Sequence, residues 1–173
     1  YRTMHPLMAL LYPTWQRDFV RSLIRMGETG GSLPRWPQGT GYGRSMDGTS
    51  ADIVIADSYT KGVTDFDAES AYALMQITAR GPAPAGNPGR DGVDRIDALG
   101  YLPADEFQNA VSKTEEYAHA DYCIWQLAKA LDKTEDLAFY EARSQTWKNL
   151  WDPDLKFLAP RNADGTFQDY NPL

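Results

Sequence analysis

Planar rings and guanidinium groups are concentrated in one glycine-rich stretch, residues 30–48 (GGSLPRWPQGTGYGRSMDG). Its side chains that could do chemistry are Arg35, Trp36, Tyr42, Arg44 and Asp47. Flat apolar rings pack against the C–H face of a sugar, and guanidinium forks bind oxygen atoms in pairs. An exposed loop of this composition favours a carbohydrate site, although a loop tryptophan can also simply plug the end of a helical bundle.

Four carboxylates outside this loop could take part in glycoside cleavage, which uses a pair of carboxyl groups as acid and base. They are Asp52, Asp57, Glu116 and Asp121. Most carboxylates of an acidic chain are only solvated surface groups, so their residue type alone gives none of them a catalytic role.

Other kinds of site find little support in the sequence. The glycines of GTGYGR alternate, which is not dinucleotide-binding spacing, and no strand is predicted before them. His5 and His119 are the only histidines, they are far apart, and Cys123 is the only cysteine. Neither a zinc site nor a disulfide framework is therefore indicated, and each lone histidine is more typical of a packed or surface residue than of a ligand. No serine lies in a GxSxG frame.

Charge and hydropathy limit the classes of partner. The net charge is -7 and the sequence pI about 4.8, so the surface as a whole repels nucleic acids, and a neutral or cationic small ligand is favoured. The longest apolar runs, such as residues 7–12, are too short to span a bilayer. We therefore expect a soluble chain with neither a nucleic-acid nor a membrane partner. Because the sequence opens at Tyr1 without an initiator Met, we interpret it as a piece of a longer protein.

The elements that position these side chains are helices, which are predicted from the periodicity of apolar residues. This periodicity predicts five helices, at about residues 14–27, 49–62, 67–79, 109–131 and 134–151. The segment 80–92 is too rich in glycine and proline for either a helix or a strand, and Asp164 with Gly165 predicts a turn in a short tail. The sequence thus predicts one all-α domain over 1–173 without an internal boundary, in which helical hairpins carry long loops.

Two finer predictions concern single helices. Trp15, Phe19 and Leu23 fall four residues apart in the first helix and predict its buried stripe, together with the neighbouring Val20 and Ile24. Helix caps are predicted at Thr49 or Ser50 and at Thr134. A bundle, a solenoid and part of an α/α barrel all remain open at this point, because no repeat of fixed period is present.

Four segments share their order and residues with the motifs of one known family. YRTMHPL opens the chain, followed by GGSLPRWP with GTSADIVIADSYTKGVTDFDAESAY, then GYLPADEFQNAVSKTEEYAHADYCIWQLAKAL, and finally DPDLKFLAPRNADGTF. Together they resemble glycoside hydrolase family 92, the calcium-dependent exo-acting α-mannosidases. The resemblance covers nearly the whole chain; Trp125 stands where the family usually has a small residue.

This resemblance implies a fold and an activity. The chain would be part of an (α/α)6 barrel catalytic domain, completed by the rest of that domain and an N-terminal β-domain. The whole enzyme would remove terminal α-linked mannose, α-1,2-linked in particular, from glycans by calcium-assisted inverting hydrolysis. It would be a secreted or periplasmic bacterial protein. The family's general acid lies in an E-G-N-x-W-Q-Y segment and its base in a G-N-D-D segment. Neither segment occurs here, so no catalytic residue and no metal ligand is assigned to this chain.

The resemblance does assign a substrate-binding role to four residues, Arg2, Trp36, Asp52 and Asp57, which for the two aspartates is positioning as much as direct contact. It favours structural hydrogen bonds for Glu116 and Asp121. Arg2 and Trp36 should then border one shared hollow. The alternative hypothesis is a non-catalytic, tetratricopeptide-like module that binds peptides, which the alanine-rich and aromatic hairpin of residues 110–150 would also fit.

Overall fold

The computed structural model describes residues 1–43, 45–81, 87 and 89–169. Arg44 and most of the glycine- and proline-rich part of segment 80–92 lie outside the described residues. Seven α-helices are present in the described ranges: α1 (Met4–Leu11), α2 (Pro13–Gly30), α3 (Ser50–Thr60), α4 (Ala68–Arg80), α5 (Val93–Leu99), α6 (Ala110–Ala130) and α7 (Thr134–Arg143). A 3₁₀ helix (Thr146–Leu150) follows α7. The predicted all-α class is confirmed.

Two short antiparallel hairpins accompany the helices. β1 (Trp36–Gln38) pairs with β2 (Gly41–Gly43), and β3 (Trp151–Asp152) pairs with β4 (Phe157–Leu158). The predicted tail turn is also present, since the Gly165 amide donates to the Asn162 carbonyl at 2.9 Å. No helix of the described residues combines the length and the hydropathy that a bilayer crossing requires.

The long helix α6 lies at the centre of the packing. It packs along α3 on one side and α7 on another, and it also contacts α4, while α2 packs against α1, α3 and α4. One core cluster joins these helices, and its most deeply buried large side chains are Val20, Ile55, Met75, Ile124, Leu127 and Tyr140. The core therefore fixes α3 and α6 relative to each other, and these two helices carry all four carboxylates singled out in the sequence.

Two helices were not predicted. α1 has the sequence MHPLMALL, which is apolar on all sides and so shows no stripe of helical period. Its proline, Pro6, lies in the first turn, where the backbone amides have no helical partner and proline is tolerated. α5 has only seven residues between two glycines, Gly92 and Gly100, which is too short for a periodicity to be read.

The predicted stripe of α2 is correct in part: Val20 and Ile24 are buried, whereas Trp15 and Phe19 are exposed and Leu23 is half-buried. The buried residues of this helix are Gln16, Val20, Ile24 and Gly27, whereas Trp15 is 64% exposed. Periodicity favoured the tryptophan over the glutamine because it weighs hydropathy alone. Gln16 is buried because its amide has hydrogen-bond partners on two other helices, which removes the cost of burial.

The predicted helix caps also differ from those found. Thr49 occupies the cap position of α3, but its side chain makes no capping hydrogen bond and instead accepts one from Arg90 Nε at 3.3 Å. Thr134 is already inside α7, which has Lys133 at its cap position. A side-chain cap does exist at α4, where the Ser70 amide donates to Asp67 Oδ1 at 2.9 Å.

The glycine-rich stretch 30–48 is less irregular than its composition predicts, because β1 and β2 form a hairpin inside it. Trp36 pairs with Gly43 across this hairpin. A side chain at Gly43 would collide with the Trp36 ring, so glycine at this position lets the indole lie across the neighbouring strand. The hairpin therefore holds the orientation of Trp36.

Candidate functional site

The surface has several hollows, with volumes up to ≈ 610 Å³. One of them, of ≈ 580 Å³, lies between the first residues of the chain and the β1–β2 region. This hollow, called the tryptophan hollow below, is lined among others by Arg2, His5, Trp36, Asp47 and Glu116. Arg2 and Trp36 thus share one hollow, as expected from the sequence. Half of the Trp36 surface is exposed (50%), so its ring is accessible to a ligand.

Glu116 of α6 holds the first two residues at the tryptophan hollow. Its Oε2 accepts a hydrogen bond from the Tyr1 hydroxyl at 2.8 Å, and its Oε1 accepts one from Arg2 Nη2. Burial and the bond to Glu116 raise the pKa of Tyr1 to about 12, so this hydroxyl stays protonated and donates at neutral pH. The Glu116 side chain is only 16% exposed while that of Arg2 is 68% exposed, so the guanidinium keeps donors available to the hollow.

The same helix also holds the loop that follows β2. One turn before Glu116, the Ser112 hydroxyl donates to Asp47 Oδ2 at 3.0 Å. Gly48 has a φ of 87°, and a Cβ there would lie 3.0 Å from Glu116 Oε2. Both its backbone conformation and this close approach require glycine. α6 therefore positions two parts of the hollow, the chain start and the loop at 45–49.

Tyr42 and Arg35 of the glycine-rich stretch 30–48 bind this stretch to the rest of the fold. The Tyr42 hydroxyl donates to the Met26 carbonyl of α2, and burial raises the Tyr42 pKa. Arg35 lines the tryptophan hollow but donates to backbone carbonyls, to Met46 at 3.5 Å and to Gly89. Of the loop residues singled out in the sequence, Trp36 is the ring that borders the hollow.

Asp57 lies along a second, smaller hollow of ≈ 220 Å³, which Arg2, His5 and His119 also line. Its carboxylate accepts a hydrogen bond from Lys61 Nζ at 2.6 Å, one turn further along α3. Arg2 and His5 border both hollows, so the two are adjacent. Three of the four predicted binding residues are therefore brought together, while their role in binding stays a prediction.

Asp52 is the exception, because its buried position fits the positioning role that was expected beside direct contact with substrate. Its side chain is fully buried (0% exposed) and faces Arg90, whose Nη2 lies 3.3 Å from Asp52 Oδ2. Burial raises the pKa of Asp52 to about 6, although Arg90 and Thr49 oppose this shift. The sequence showed a carboxylate in the first turn of a helix but not the arginine that covers it.

Asp52 belongs to a buried ionic cluster that ties the fold together. Asp121 Oδ1 accepts from Arg90 Nη1 at 2.6 Å, and Asp121 Oδ2 accepts from Arg143 Nε at 3.0 Å. Arg143 also donates to Asp97 at 2.9 Å. These contacts give Asp121 the structural role that the sequence favoured. The two arginines were missed, because nothing in a glycine-rich loop or at a helix end marks an arginine as buried.

The described residues do not fit a calcium site. They contain no group of three or more His, Cys, Asp or Glu side chains that could hold a metal ion. Asp52 and Asp121 are already neutralised by arginines, and Glu116 is bonded to Tyr1 and Arg2.

A family model and a curated relative show what this chain is similar to. The family model described as the glycosyl hydrolase family 92 catalytic domain matches residues 1–173. A curated relative, named an uncharacterized secreted glycosidase of Arthroderma benhamiae, is 29% identical over 188 aligned positions, which cover 93% of this chain and 24% of the relative.

Solved structures agree in both fold and family. The family GH92 inverting mannosidase BT2199 from Bacteroides thetaiotaomicron superposes with a TM-score of 0.90 at 32% identity, over 96% of this chain and 23% of the neighbour. The α-mannosidase BT3965 of the same species, in complex with mannoimidazole, superposes with a TM-score of 0.87 at 32% identity, over 98% of this chain and 22% of the neighbour. The chain therefore spans about a quarter of the length of these relatives. These similarities give no support to the peptide-binding alternative. The chain belongs to glycosyl hydrolase family 92 and is part of the helical barrel of that family's catalytic domain.

Proposed function

We propose that this chain forms part of the sugar-binding end of a glycoside hydrolase that removes terminal α-linked mannose from glycans. The observation that carries the proposal is the single hollow shared by Arg2 and Trp36. The names of the structural neighbours, which are family GH92 mannosidases, supply the sugar. The structure of one of these neighbours is a complex with mannoimidazole.

The chemistry of the tryptophan hollow suits one neutral hexose. The half-exposed Trp36 ring offers an apolar face for the C–H side of a pyranose. Arg2 offers N–H groups to hydroxyl oxygens while Glu116 fixes its guanidinium. Leu23 and Val54 add apolar lining, so the site combines a few polar groups with a largely apolar wall, as small-molecule sites do.

We assign the acid and the base of an inverting reaction to parts of the longer protein. Such a reaction needs one protonated and one ionised carboxyl group on opposite sides of the bond. Glu116 and Asp47 border the hollow, but Tyr1, Arg2 and Ser112 occupy them. Calcium, the preference for α-1,2 linkages, an N-terminal β-domain and export from a bacterial cell belong to the same proposal. They depend on sequence outside the described residues.

The test compares the longest natural chain that contains this segment with the 173-residue segment itself. The long chain should release mannose from α-mannosides, fastest from an α-1,2-linked disaccharide, and a calcium chelator should abolish the release until calcium is added back. The segment alone should release none. Mannose release by the segment would place an acid and a base within these residues. Failure of the long chain on every α-mannoside would contradict the proposed activity.

A further inference from the structure

Three side chains from three different helices form a hydrogen-bonded relay beside the tryptophan hollow. His5 Nδ1 of α1 lies 3.0 Å from Gln16 Oε1 of α2. Gln16 Nε2 lies 2.8 Å from the Ser58 hydroxyl of α3, and that hydroxyl lies 2.6 Å from the Val54 carbonyl. Gln16 and Ser58 are both 0% exposed, so water does not compete for these bonds.

The carbonyl at the end of the relay fixes every proton in it. A backbone carbonyl only accepts, so the Ser58 hydroxyl must donate its one proton to Val54. The Ser58 oxygen must then accept from Gln16, which sets the amide nitrogen towards Ser58 and the amide oxygen towards His5. Because that oxygen also only accepts, His5 Nδ1 must carry the proton. A neutral His5 ring therefore has an unprotonated Nε2.

The imidazole of His5 borders the ligand region. His5 lines both the tryptophan hollow and the adjacent hollow of Asp57, and it shares both with Arg2. Phe19 packs edge-on against the imidazole, with 5.7 Å between ring centroids, and so restrains its rotation. With Nδ1 bonded to Gln16, Nε2 is the one polar atom of the ring left for a ligand.

We propose that His5 is a ligand-contacting residue whose Nε2 accepts a hydrogen bond from a hydroxyl group of the sugar bound beside Arg2. The identity of that sugar rests on the proposed function. Arg2 can only donate hydrogen bonds to a ligand. With an acceptor next to it, the site can donate to one hydroxyl oxygen of the sugar and accept from a neighbouring hydroxyl group. The carboxylates of Asp47 and Glu116, which also line the hollow, already accept hydrogen bonds from Ser112, Tyr1 and Arg2. His5 Nε2 thus adds an acceptor that makes no hydrogen bond within the relay, and a polyol hydroxyl can donate to it.

The protonation pattern is tested directly by nitrogen-15 NMR of the histidines in the longest natural chain. His5 Nδ1 should give a pyrrole-type signal and Nε2 a pyridine-type signal at a pH where the ring is neutral. Ser58→Ala, which frees Gln16 to rotate, should weaken this preference. A His5 ring protonated at Nε2 in the unaltered protein would overturn the proposal whatever the ligand.

The contact itself is tested by calorimetric binding of methyl α-mannoside and its monodeoxy analogues. His5→Asn keeps an N–H near the Nδ1 position and loses the acceptor, so its affinity for the parent sugar should fall about tenfold. One deoxy analogue should bind the unaltered protein about tenfold more weakly than the parent sugar, yet lose no further affinity in His5→Asn. His5→Gln, whose amide reaches the Nε2 position, should recover part of the loss.

The outcomes separate this proposal from the function on which it rests. Additive losses for every analogue in His5→Asn would show that His5 touches no hydroxyl, while mannoside binding by the unaltered protein would leave the proposed function standing. If the unaltered protein binds no mannoside, the proposed function fails, and the assignment of a sugar to His5 fails with it. An unchanged affinity of His5→Asn for the parent sugar would likewise overturn the contact.

Discussion

Two arginine–carboxylate clusters of this protein differ in how far water reaches them. The cluster of Arg90, Asp52 and Asp121 is buried, with every side chain at most 1% exposed. The pair of Arg2 and Glu116 at the tryptophan hollow is 68% and 16% exposed. The same residue types thus do two jobs. In the buried cluster each guanidinium nitrogen of Arg90 has a partner within the fold, whereas Arg2 keeps donors that a ligand can use.

The difference follows from the cost of removing charges from water. A buried ion pair is a weak source of net stability, but loss of one partner leaves an unpaired charge that is expensive to keep inside. The Arg90 cluster joins α3, α6 and the end of α7, so it specifies how these helices meet. The exposed Arg2 pair contributes little to folding, and its position at the hollow is better explained by binding.

The largest effect is expected from removal of Arg90. Arg90→Met leaves Asp52 and Asp121 buried without their shared partner and should lower the free energy of unfolding by about 3–5 kcal/mol. Urea unfolding of the longest natural chain measures this. The matched control is Arg95→Met, which removes an exposed partner of Glu106 and should lower the free energy of unfolding far less than Arg90→Met does. Equal losses for the two variants would show that burial does not distinguish them.

Asp52 should make stability fall as the pH rises through the weakly acidic range. Burial raises its folded pKa to about 6, above an unfolded value of about 4, so the folded state binds more protons between these values. Its contribution is fully present below pH 4 and is lost as the pH passes 6, by no more than about 3 kcal/mol. Arg90, whose pKa is raised by the two carboxylates and which stays charged over this range, faces the same carboxyl, as does Asp121.

The pH dependence is isolated by Asp52→Asn, which keeps the shape and cannot ionise. The difference in unfolding free energy between this variant and the unaltered protein should change between pH 4 and pH 7 by the amount expected for Asp52, no more than about 3 kcal/mol. A constant difference over that range would show that Asp52 does not titrate there.

Removal of Arg2 should affect binding more than folding. Arg2→Ala should lower the free energy of unfolding by less than about 1 kcal/mol, because the pair is solvated. Its affinity for methyl α-mannoside should fall by about 1.5–3 kcal/mol, the usual contribution of a charge-assisted hydrogen bond. Calorimetry and urea unfolding of the same preparation give both numbers. A variant that loses stability but keeps its affinity would reverse the roles assigned to the two clusters.

The sequence predicted those features that depend on local pattern or on whole motifs. Helical periodicity located α3, α4 and α6, and the motifs containing Arg2 and Trp36 indicated a shared hollow. The sequence could not show that Asp52 is buried, because its partner Arg90 comes from a separate loop. The hydropathy pattern also missed Gln16 in the buried stripe of α2, because the burial of this residue depends on His5 and Ser58 from other helices. Features that need partners distant in sequence are the ones that hydropathy patterns miss.

The central claim is that the tryptophan hollow binds a terminal mannose, and a pair of tryptophan variants tests it most directly. Trp36 and Trp151 are almost equally exposed, at 50% and 47%, each lies in a short hairpin, and Trp151 is not among the residues that line the hollow in the described chain. In calorimetric titration of the longest natural chain with methyl α-mannoside, Trp36→Ala should weaken binding by about 1–3 kcal/mol and Trp151→Ala should leave it unchanged. Equal affinity of both variants for the mannoside would contradict the claim.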